Sequence, residues 1–409
     1  MMKTRDLPGV QLSKKGTQWV QNGHPWVYET EVTATTGSCV DGELADVFSA
    51  KGSYLGTGFY NSHSKIRVRI VSRNRNDTFD DAFWARRLRY CWEYRKTVMG
   101  HQASCCRLIF GEADQFPGLT IDRFGDVLVC QVLSLGIERI KHRLLPLLVE
   151  VLRQDGQVIH AVYERDDVAI RQLEGMEQKT GYFPIDGEVR PPDDRVQIVE
   201  NGLHYTVDIA GGQKTGFFLD QKFNRQAVAR YAAGKRVLDC FTHTGSFGMN
   251  AAMGGACHVT SVDISQQAVE MARENVHQNG LDERVDLVCA NVFDLLTELS
   301  AVKCRDYDFV ILDPPAFTKS RATVKQAYRG YKDINLRAMK LLPRGGYLAT
   351  CSCSHFMGEG LFRKMLTEAA RDAGVSLRQI ECRQQSPDHP ILYGVPETDY
   401  LKFFIFQVV

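Results

Sequence analysis

Apolar and basic residues alternate through Ile66-Arg67-Val68-Arg69-Ile70-Val71, the period of two expected of a strand with one covered face. The pattern puts Ile66, Val68 and Ile70 toward a core and Arg67 and Arg69 on the opposite, outward face. Upstream, Val10-Gln11-Leu12, Trp19-Val20, Trp26-Val27-Tyr28, Ala45-Asp46-Val47-Phe48 and the run from Tyr54 to Tyr60 are short and β-prone, with Gly, Asn and Asp between them. Residues 1–75 therefore predict a small β-barrel. From residue 77 the period lengthens: Phe83, Trp84, Leu88, Cys91 and Trp92 recur at helical spacing. Strands at 119–122 and 127–133 flank an Arg123-Phe124-Gly125-Asp126 turn. An amphipathic helix over 137–153 presents Ile140, Leu144, Leu147 and Val151, and a strand over 158–164 completes a β-β-α-β module.

Residues 196–210 predict a hairpin whose Asn201-Gly202 suits a type I′ turn. Beyond it, strand-like runs at 236–239, 258–263, 285–289, 308–312 and 346–351 alternate with helical runs, three of which cover 247–253, 266–279 and 331–342. That rhythm predicts a mostly parallel, doubly wound sheet. The last two strands, 376–383 and 401–408, are joined through Pro387, Pro390 and Pro396 with no helix between them, which predicts an antiparallel pair. The chain thus reads as α/β with three domains: 1–75, 76–195 and 196–409.

Composition changes this picture in three ways. Of 409 residues, 44% are hydrophobic and 24% charged, which excludes a disordered chain. No run approaches eighteen apolar residues and the first six residues lack a signal-peptide core. The expectation is a cytoplasmic protein off the membrane, with its twelve cysteines reduced. These include no pair of Cys-x-x-Cys spacings, so no metal is expected. The net charge of +1 conceals an asymmetry: residues 1–110 carry sixteen Lys and Arg against ten Asp and Glu, and the remainder thirty-four against thirty-nine. A basic front end on a neutral or acidic body suits an RNA-binding module joined to a catalytic domain.

The candidate chemistry lies at the carboxyl ends of the predicted strands. Val237-Leu238-Asp239-Cys240-Phe241-Thr242-His243-Thr244-Gly245-Ser246-Phe247-Gly248 is a strand, a tight polar turn and a helix start, an arrangement that brings backbone N–H groups to a ligand. Asp239, Phe241, Thr242 and Gly245 are its candidate contacts. Gly-x-Gly-x-x-Gly and a Walker loop are both absent. Asp263 ends the next strand, where a carboxylate can take both hydroxyls of a ribose. One glycine-poor turn and one acidic strand end fit S-adenosylmethionine better than a dinucleotide, because no pyrophosphate must be cradled. Asn291 follows the third strand, within reach of an adenine. Asp313-Pro314-Pro315-Ala316-Phe317 follows the fourth, where two prolines hold the backbone rigid and leave Asp313 and carbonyls as acceptors. Cys351 and Cys353, two residues apart after the fifth strand, share a face, with Cys353 nearer the crevice.

With these motifs the sequence resembles the large-subunit ribosomal RNA cytosine-5 methyltransferase family of the methyltransferase I type. The matching stretches are residues 212–221, the Cys240-Phe241-Thr242-His243-Thr244-Gly245 turn, Asp313-Pro314-Pro315, Arg329-Gly330-Tyr331-Lys332-Asp333-Ile334-Asn335, Ser352-Cys353-Ser354 and Asp388-His389-Pro390. The resemblance implies an N-terminal PUA-like RNA-binding β-barrel, a central α/β domain and a Rossmann-like seven-stranded class I methyltransferase domain. It also implies S-adenosylmethionine as co-substrate without a metal, 23S ribosomal RNA as partner, and a homodimer. Thr215, Phe218, Asp220 and Gln221 carry over as further donor contacts. Ala290-Asn291 departs from the pattern, since an acidic residue is common there, and the role of Cys351 is not implied.

On this reading Cys353 and Asp313 are the catalytic pair. The thiolate adds to carbon 6 of cytosine, which makes carbon 5 nucleophilic toward the methyl group, while Asp313 accepts from the exocyclic amine. Arg67 and Arg69 contact RNA. Two other readings stay open: an amino-group methyltransferase that uses Asp313-Pro314-Pro315 without a cysteine, and a non-catalytic RNA-binding assembly factor.

Overall fold

The structure, a computed structural model, describes residues 6–409. The chain forms two compact units. One comprises the described residues up to Ile198 together with Val207–Leu219 and Pro387–Thr398; the other comprises Val199–Thr206, Asp220–Ser386 and Asp399–Val409.

The first unit holds two sheets. Six strands run in the order Trp26–Tyr28, Ile66–Ser72, Tyr54–Tyr60, Leu44–Phe48, Gly9–Leu12 and Val32–Thr36, around a core of Val10, Leu12, Val20, Val27, Ala45, Val47, Val68 and Ile70. Trp19 and Val20 lie in the helix Lys14–Gln21 and not in a strand. Ser13 starts that helix by accepting from the N–H of Gly16 at 3.0 Å, a capping bond that outweighs the β preference of two residues. The strand Ile66–Ser72 departs further from expectation. Its second face is also covered: Arg69 is buried, donates to Glu174 at 2.7 Å and lies with its guanidinium 5.6 Å from the ring centre of Trp26. Asn61 and Ser64 donate to the same Glu174 carboxylate. Period-2 alternation identifies the strand and the face each arginine takes, but at Arg69 that face is covered, and the guanidinium is held in an internal ion pair with Glu174 instead of facing RNA. Arg69, expected to contact RNA, is therefore not exposed for such a contact. Arg67 keeps 17% of its side chain exposed and pairs with Glu29 at 3.3 Å.

Five strands form the second sheet of this unit, in the order Lys179–Phe183, Ala161–Asp166, Val127–Val132, Leu119–Phe124 and Cys105–Phe110. The helices Asp81–Met99 and Leu135–Gln154 accompany it. The strands Cys105–Phe110 and Lys179–Phe183 carry no alternation that predicts them; the latter is an edge strand with no buried residue. The helix Leu135–Gln154 approaches the strand Tyr54–Tyr60 closely enough that a Cβ on Gly136 would lie 2.0 Å from the Phe59 ring, so only glycine fits.

The hairpin Arg195–Glu200 and Leu203–Asp208 turns on Asn201 and Gly202, both at positive φ (56° and 79°), as a type I′ turn requires. In the second unit seven strands follow the order Val285–Cys289, His258–Asp263, Arg236–Cys240, Phe309–Leu312, Tyr347–Ser352, Lys402–Val408 and Leu377–Arg383. The first five are parallel. Lys402–Val408 is antiparallel to both of its neighbours, as the proline-rich, helix-free connection predicts. Phe309–Leu312 is buried throughout, the continuous apolar run expected of a parallel strand covered on both faces. Strand order reverses between Arg236–Cys240 and Phe309–Leu312. A doubly wound sheet opens its ligand crevice outside the carboxyl ends at that point, which is where Phe241 and Asp313 begin their loops.

Candidate active site

The loop after Arg236–Cys240 is built around Asp239. Its Oδ2 accepts from Thr242 Oγ1 at 2.5 Å, from the Gly248 N–H at 2.8 Å and from Ser261 Oγ at 3.3 Å. Burial, the largest influence, pushes this carboxyl up to about 7. A Cβ on Gly248 would lie 2.2 Å from Ser261 Oγ, so this glycine permits the close approach of helix Ser246–Met253. Phe241 and His243 take positive φ (64° and 51°), as does Gly245 (85°). Left-handed non-glycine residues cost free energy and cluster at ligand-binding turns. Asp263 closes the loop from the neighbouring strand, accepting from the His243 N–H and the Ser265 N–H at 2.9 Å each. A carboxylate has about four acceptor sites, so capacity remains for two hydroxyls.

The second half of the site gathers on the loops after Phe309–Leu312 and Tyr347–Ser352. Asp313 Oδ1 accepts from Cys351 Sγ at 2.9 Å and from Gln221 Nε2 at 3.1 Å. Its Oδ2 has no hydrogen-bond partner among the described residues, and the residue is partly exposed. Burial is again the largest influence and raises this carboxyl to about 6. Gln221 is held in turn by Asn224, which donates to its Oε1 at 2.6 Å. Cys351 is buried. Cys353 is partly exposed, and its sulfur lies 4.0 Å from the Pro314 carbonyl. Burial first, then Asp313 and Asp220, push its thiol up to about 12. Asp220 accepts from the Tyr400 hydroxyl at 2.6 Å through Oδ2.

Several participants were invisible to sequence patterning. The Tyr331 hydroxyl meets Ser352 Oγ at 3.0 Å and Ser354 Oγ at 2.9 Å, bracketing Cys353. Phe241, Phe293, Phe317 and Tyr331 form a chain of ring contacts with centroids 4.5 to 6.3 Å apart. Lys402, buried at the start of its strand, donates to Ser354 O and Tyr400 O. The Arg329-Gly330-Tyr331 motif pointed to Tyr331 without assigning it a task; nothing in the sequence pointed to Lys402.

Of the sequence-derived donor contacts, Asp220, Gln221, Asp239, Phe241, Thr242, Gly245, Asp263 and Asp313 belong to the second unit with Cys353. Asn291 belongs there too, but its Oδ1 caps the helix Val292–Ala301 by accepting from Phe293 N–H at 2.9 Å. Thr215 and Phe218 belong to the first unit, where Thr215 donates to Asp122 at 2.5 Å.

A family of S-adenosylmethionine-dependent methyltransferases matches residues 185–406, and a PUA-like domain family matches residues 10–73. A ribosomal RNA large subunit methyltransferase I from Aeromonas salmonicida is 42% identical over 384 residues, 93% of this chain and 94% of the relative. Another from Klebsiella pneumoniae is 40% identical over 409 residues, covering 98% and 99%. The chain belongs to the ribosomal RNA large subunit methyltransferase I family. Its fold is shared with a candidate S-adenosylmethionine-dependent methyltransferase from Streptococcus mutans at a TM-score of 0.81, with 22% identity and coverage of 98% and 100%. A candidate methyltransferase solved in complex with SAH superposes at a TM-score of 0.82 with the same identity and coverage.

The fold expected from the sequence, a PUA-like N-terminal domain with a Rossmann-like methyltransferase domain, is the fold of this family. S-adenosylmethionine dependence comes with membership, and the residues fit the molecule. Asp220 Oδ1, Asp239 Oδ1 and Thr244 Oγ1 are buried polar atoms with no hydrogen-bond partner among the described residues, around a loop whose strained backbone and acidic strand end suit a ribose. Among the described residues no cluster of His, Cys, Asp and Glu could hold a metal ion, and no helix is long and apolar enough to cross a membrane.

Proposed function

We propose that the protein methylates carbon 5 of a cytosine in large-subunit (23S) ribosomal RNA, with Cys353 as nucleophile and Asp313 as the group that recognises the base. The observation that carries this reading is that a partly exposed thiol, Cys353, and a partly exposed carboxylate, Asp313, follow the ends of two adjacent parallel strands beside the point where the sheet reverses its order. Carbon 5 of cytosine is a weak nucleophile. The Cys353 sulfur bonds to carbon 6, and the electron pair of the carbon 5–carbon 6 double bond becomes available at carbon 5. Bound S-adenosylmethionine supplies an electrophilic methyl group, whose bond to sulfur breaks as carbon 5 takes it. Loss of the carbon 5 proton to a base then expels the thiolate and restores the ring. Asp313 Oδ2, as an acceptor, selects the amine of cytosine against the carbonyl of uracil. The target base has to leave its stack to reach these groups, and Arg67, with the basic front end, supplies phosphate contacts.

The amino-group alternative calls for an aromatic ring free to stack on the base. Phe317 instead packs against Tyr331 at 4.5 Å and Phe293 at 5.8 Å, which favours the carbon 5 reading. RNA carrying 5-fluorocytosine tests it, since fluorine cannot leave carbon 5 as a proton does. The expected result is a denaturation-resistant protein–RNA adduct that Cys353→Ala does not form. Turnover without any adduct would transfer the reading to amino-group chemistry. Mapping 5-methylcytosine in ribosomal RNA from cells lacking the protein identifies the nucleotide, and no change in that map would remove ribosomal RNA as substrate.

A further inference from the structure

We propose that Lys402 is a positioning residue for Cys353, its ammonium stabilising the thiolate from the neighbouring strand. The inference rests on Cys353 being the nucleophile, and extends that reading to how the thiol is ionised.

The placement follows from sheet register. In the antiparallel pairing of Tyr347–Ser352 with Lys402–Val408, Lys402 stands directly opposite Ser352, the residue before Cys353. Its Nζ donates to the carbonyl of Ser354, the residue after Cys353, at 2.7 Å, and to the carbonyl of Tyr400 at 2.8 Å. The ammonium is thereby tethered to the turn that carries the thiol. Two of its three N–H donors are occupied, both by neutral carbonyls. Lys402 is buried and forms no ion pair with a carboxylate among the described residues. Burying an ammonium without a counter-ion is expensive. An arrangement of this kind is retained most readily where an anion forms during turnover.

The surrounding charges agree. Asp313 and Asp220 oppose ionisation of Cys353 and Lys402 favours it. From its side Lys402 faces Cys353, Asp399, Cys351 and Glu359, while burial, the largest influence, lowers its ammonium to about 8. At neutral pH Lys402 is therefore mostly protonated, and the cation is present when the thiol must lose its proton. A thiolate needs such a neighbour, because a cysteine next to Lys, Arg or a protonated His is the one whose ionisation is made easier. Cys351, within the strand Tyr347–Ser352, hydrogen-bonds to Asp313 and is too buried to compete.

The test reads the thiol itself. Full-length protein is alkylated with iodoacetamide from pH 6 to 10, and modification of Cys353 is followed by mass spectrometry, with the exposed Cys257 and Cys289 as internal controls. Lys402→Met and Lys402→Gln should slow Cys353 alkylation about tenfold at pH 7, the effect of one unit of pKa, and move its pH profile upward. Lys402→Arg should recover most of the rate, and the controls should not change. An unshifted Cys353 profile in a folded Met or Gln variant overturns the proposal, as does identical behaviour of Gln and Arg. If none of the three variants folds, Lys402 is a structural bracket for the two carbonyls and the proposal falls. Methyl transfer is not the readout, so failure here leaves Cys353 as nucleophile. Activity surviving in Cys353→Ala would refute that reading whatever the alkylation shows.

Discussion

Cys351 and Cys353 share a strand face, yet their surroundings assign them different tasks. Cys351 spends its thiol on Asp313 in a closed interior, whereas Cys353 lies past the strand end and stays partly exposed. Cys353→Ala should abolish methyl transfer while donor affinity survives, measured by turnover and calorimetry on the same preparation. Cys351→Ala should retain substantial activity, with a stability cost of about 1–3 kcal/mol, because its buried thiol meets Asp313, the Leu312 carbonyl and Gln221. The opposite pattern would exchange their roles. Asp313 adds a pH dependence. Held up to about 6 by burial, it is neutral below that pH and becomes an acceptor as pH rises through it. The thiol also reacts only after losing its proton, so log kcat/KM should climb with a slope of one above pH 6 and nearer two below it. In Asp313→Asn the slope should stay at one throughout, on a lower overall rate. A wild-type profile without the break would mean that Asp313 does not act as a carboxylate.

Elements show their logic in the strand Ile66–Ser72. Its two arginines are separated by one residue but differ in kind. Arg69 is part of a buried cluster with Glu174, Asn61 and Ser64, and Glu112 lies 3.8 Å away. Arg67 sits near the surface against Glu29 and Asn61. Removing one member of a buried pair strands the other, so Arg69→Ala should destabilise the protein by about 3–5 kcal/mol in urea unfolding. Arg67→Ala should change stability by less than about 1 kcal/mol. It should instead weaken RNA binding and lower the slope of log affinity against log salt by about one, as expected for one lost phosphate contact. An unchanged slope would place the RNA surface elsewhere.

At the scale of the whole molecule, donor binding and stability are linked. S-adenosylmethionine at one hundred times its Kd should add about 2.7 kcal/mol to the unfolding free energy of the wild type. Asp263 receives two backbone N–H bonds and ends the strand His258–Asp263, the parallel neighbour of Arg236–Cys240. Its loss should weaken the donor by about 1–3 kcal/mol. In Asp263→Ala the same donor concentration should therefore stabilise by about 1.4 kcal/mol if affinity falls tenfold. Full stabilisation in that variant would mean that the ribose is held by other groups.

The sequence by itself determined the alternation of strands and helices beyond residue 236, the type I′ hairpin, the antiparallel last strands and the loops that carry Asp239, Asp263, Asp313 and Cys353. Those features are local: a repeat of apolar positions, a turn dipeptide, or a short motif at a strand end records its own conformation. The edge strand Lys179–Phe183 and the helix Lys14–Gln21 were not legible, because one lacks a buried face and the other depends on a capping hydroxyl. Tertiary structure alone decided which arginine of Arg67 and Arg69 is exposed, since alternation reports a side chain's face and not what covers it. It also decided which cysteine is closed off by Asp313, and it brought Lys402, 49 positions beyond Cys353 in the chain, opposite Ser352 through a register set by the last strand. Charge around a reacting group is a sum over neighbours in space, and a linear sequence does not state who those neighbours are.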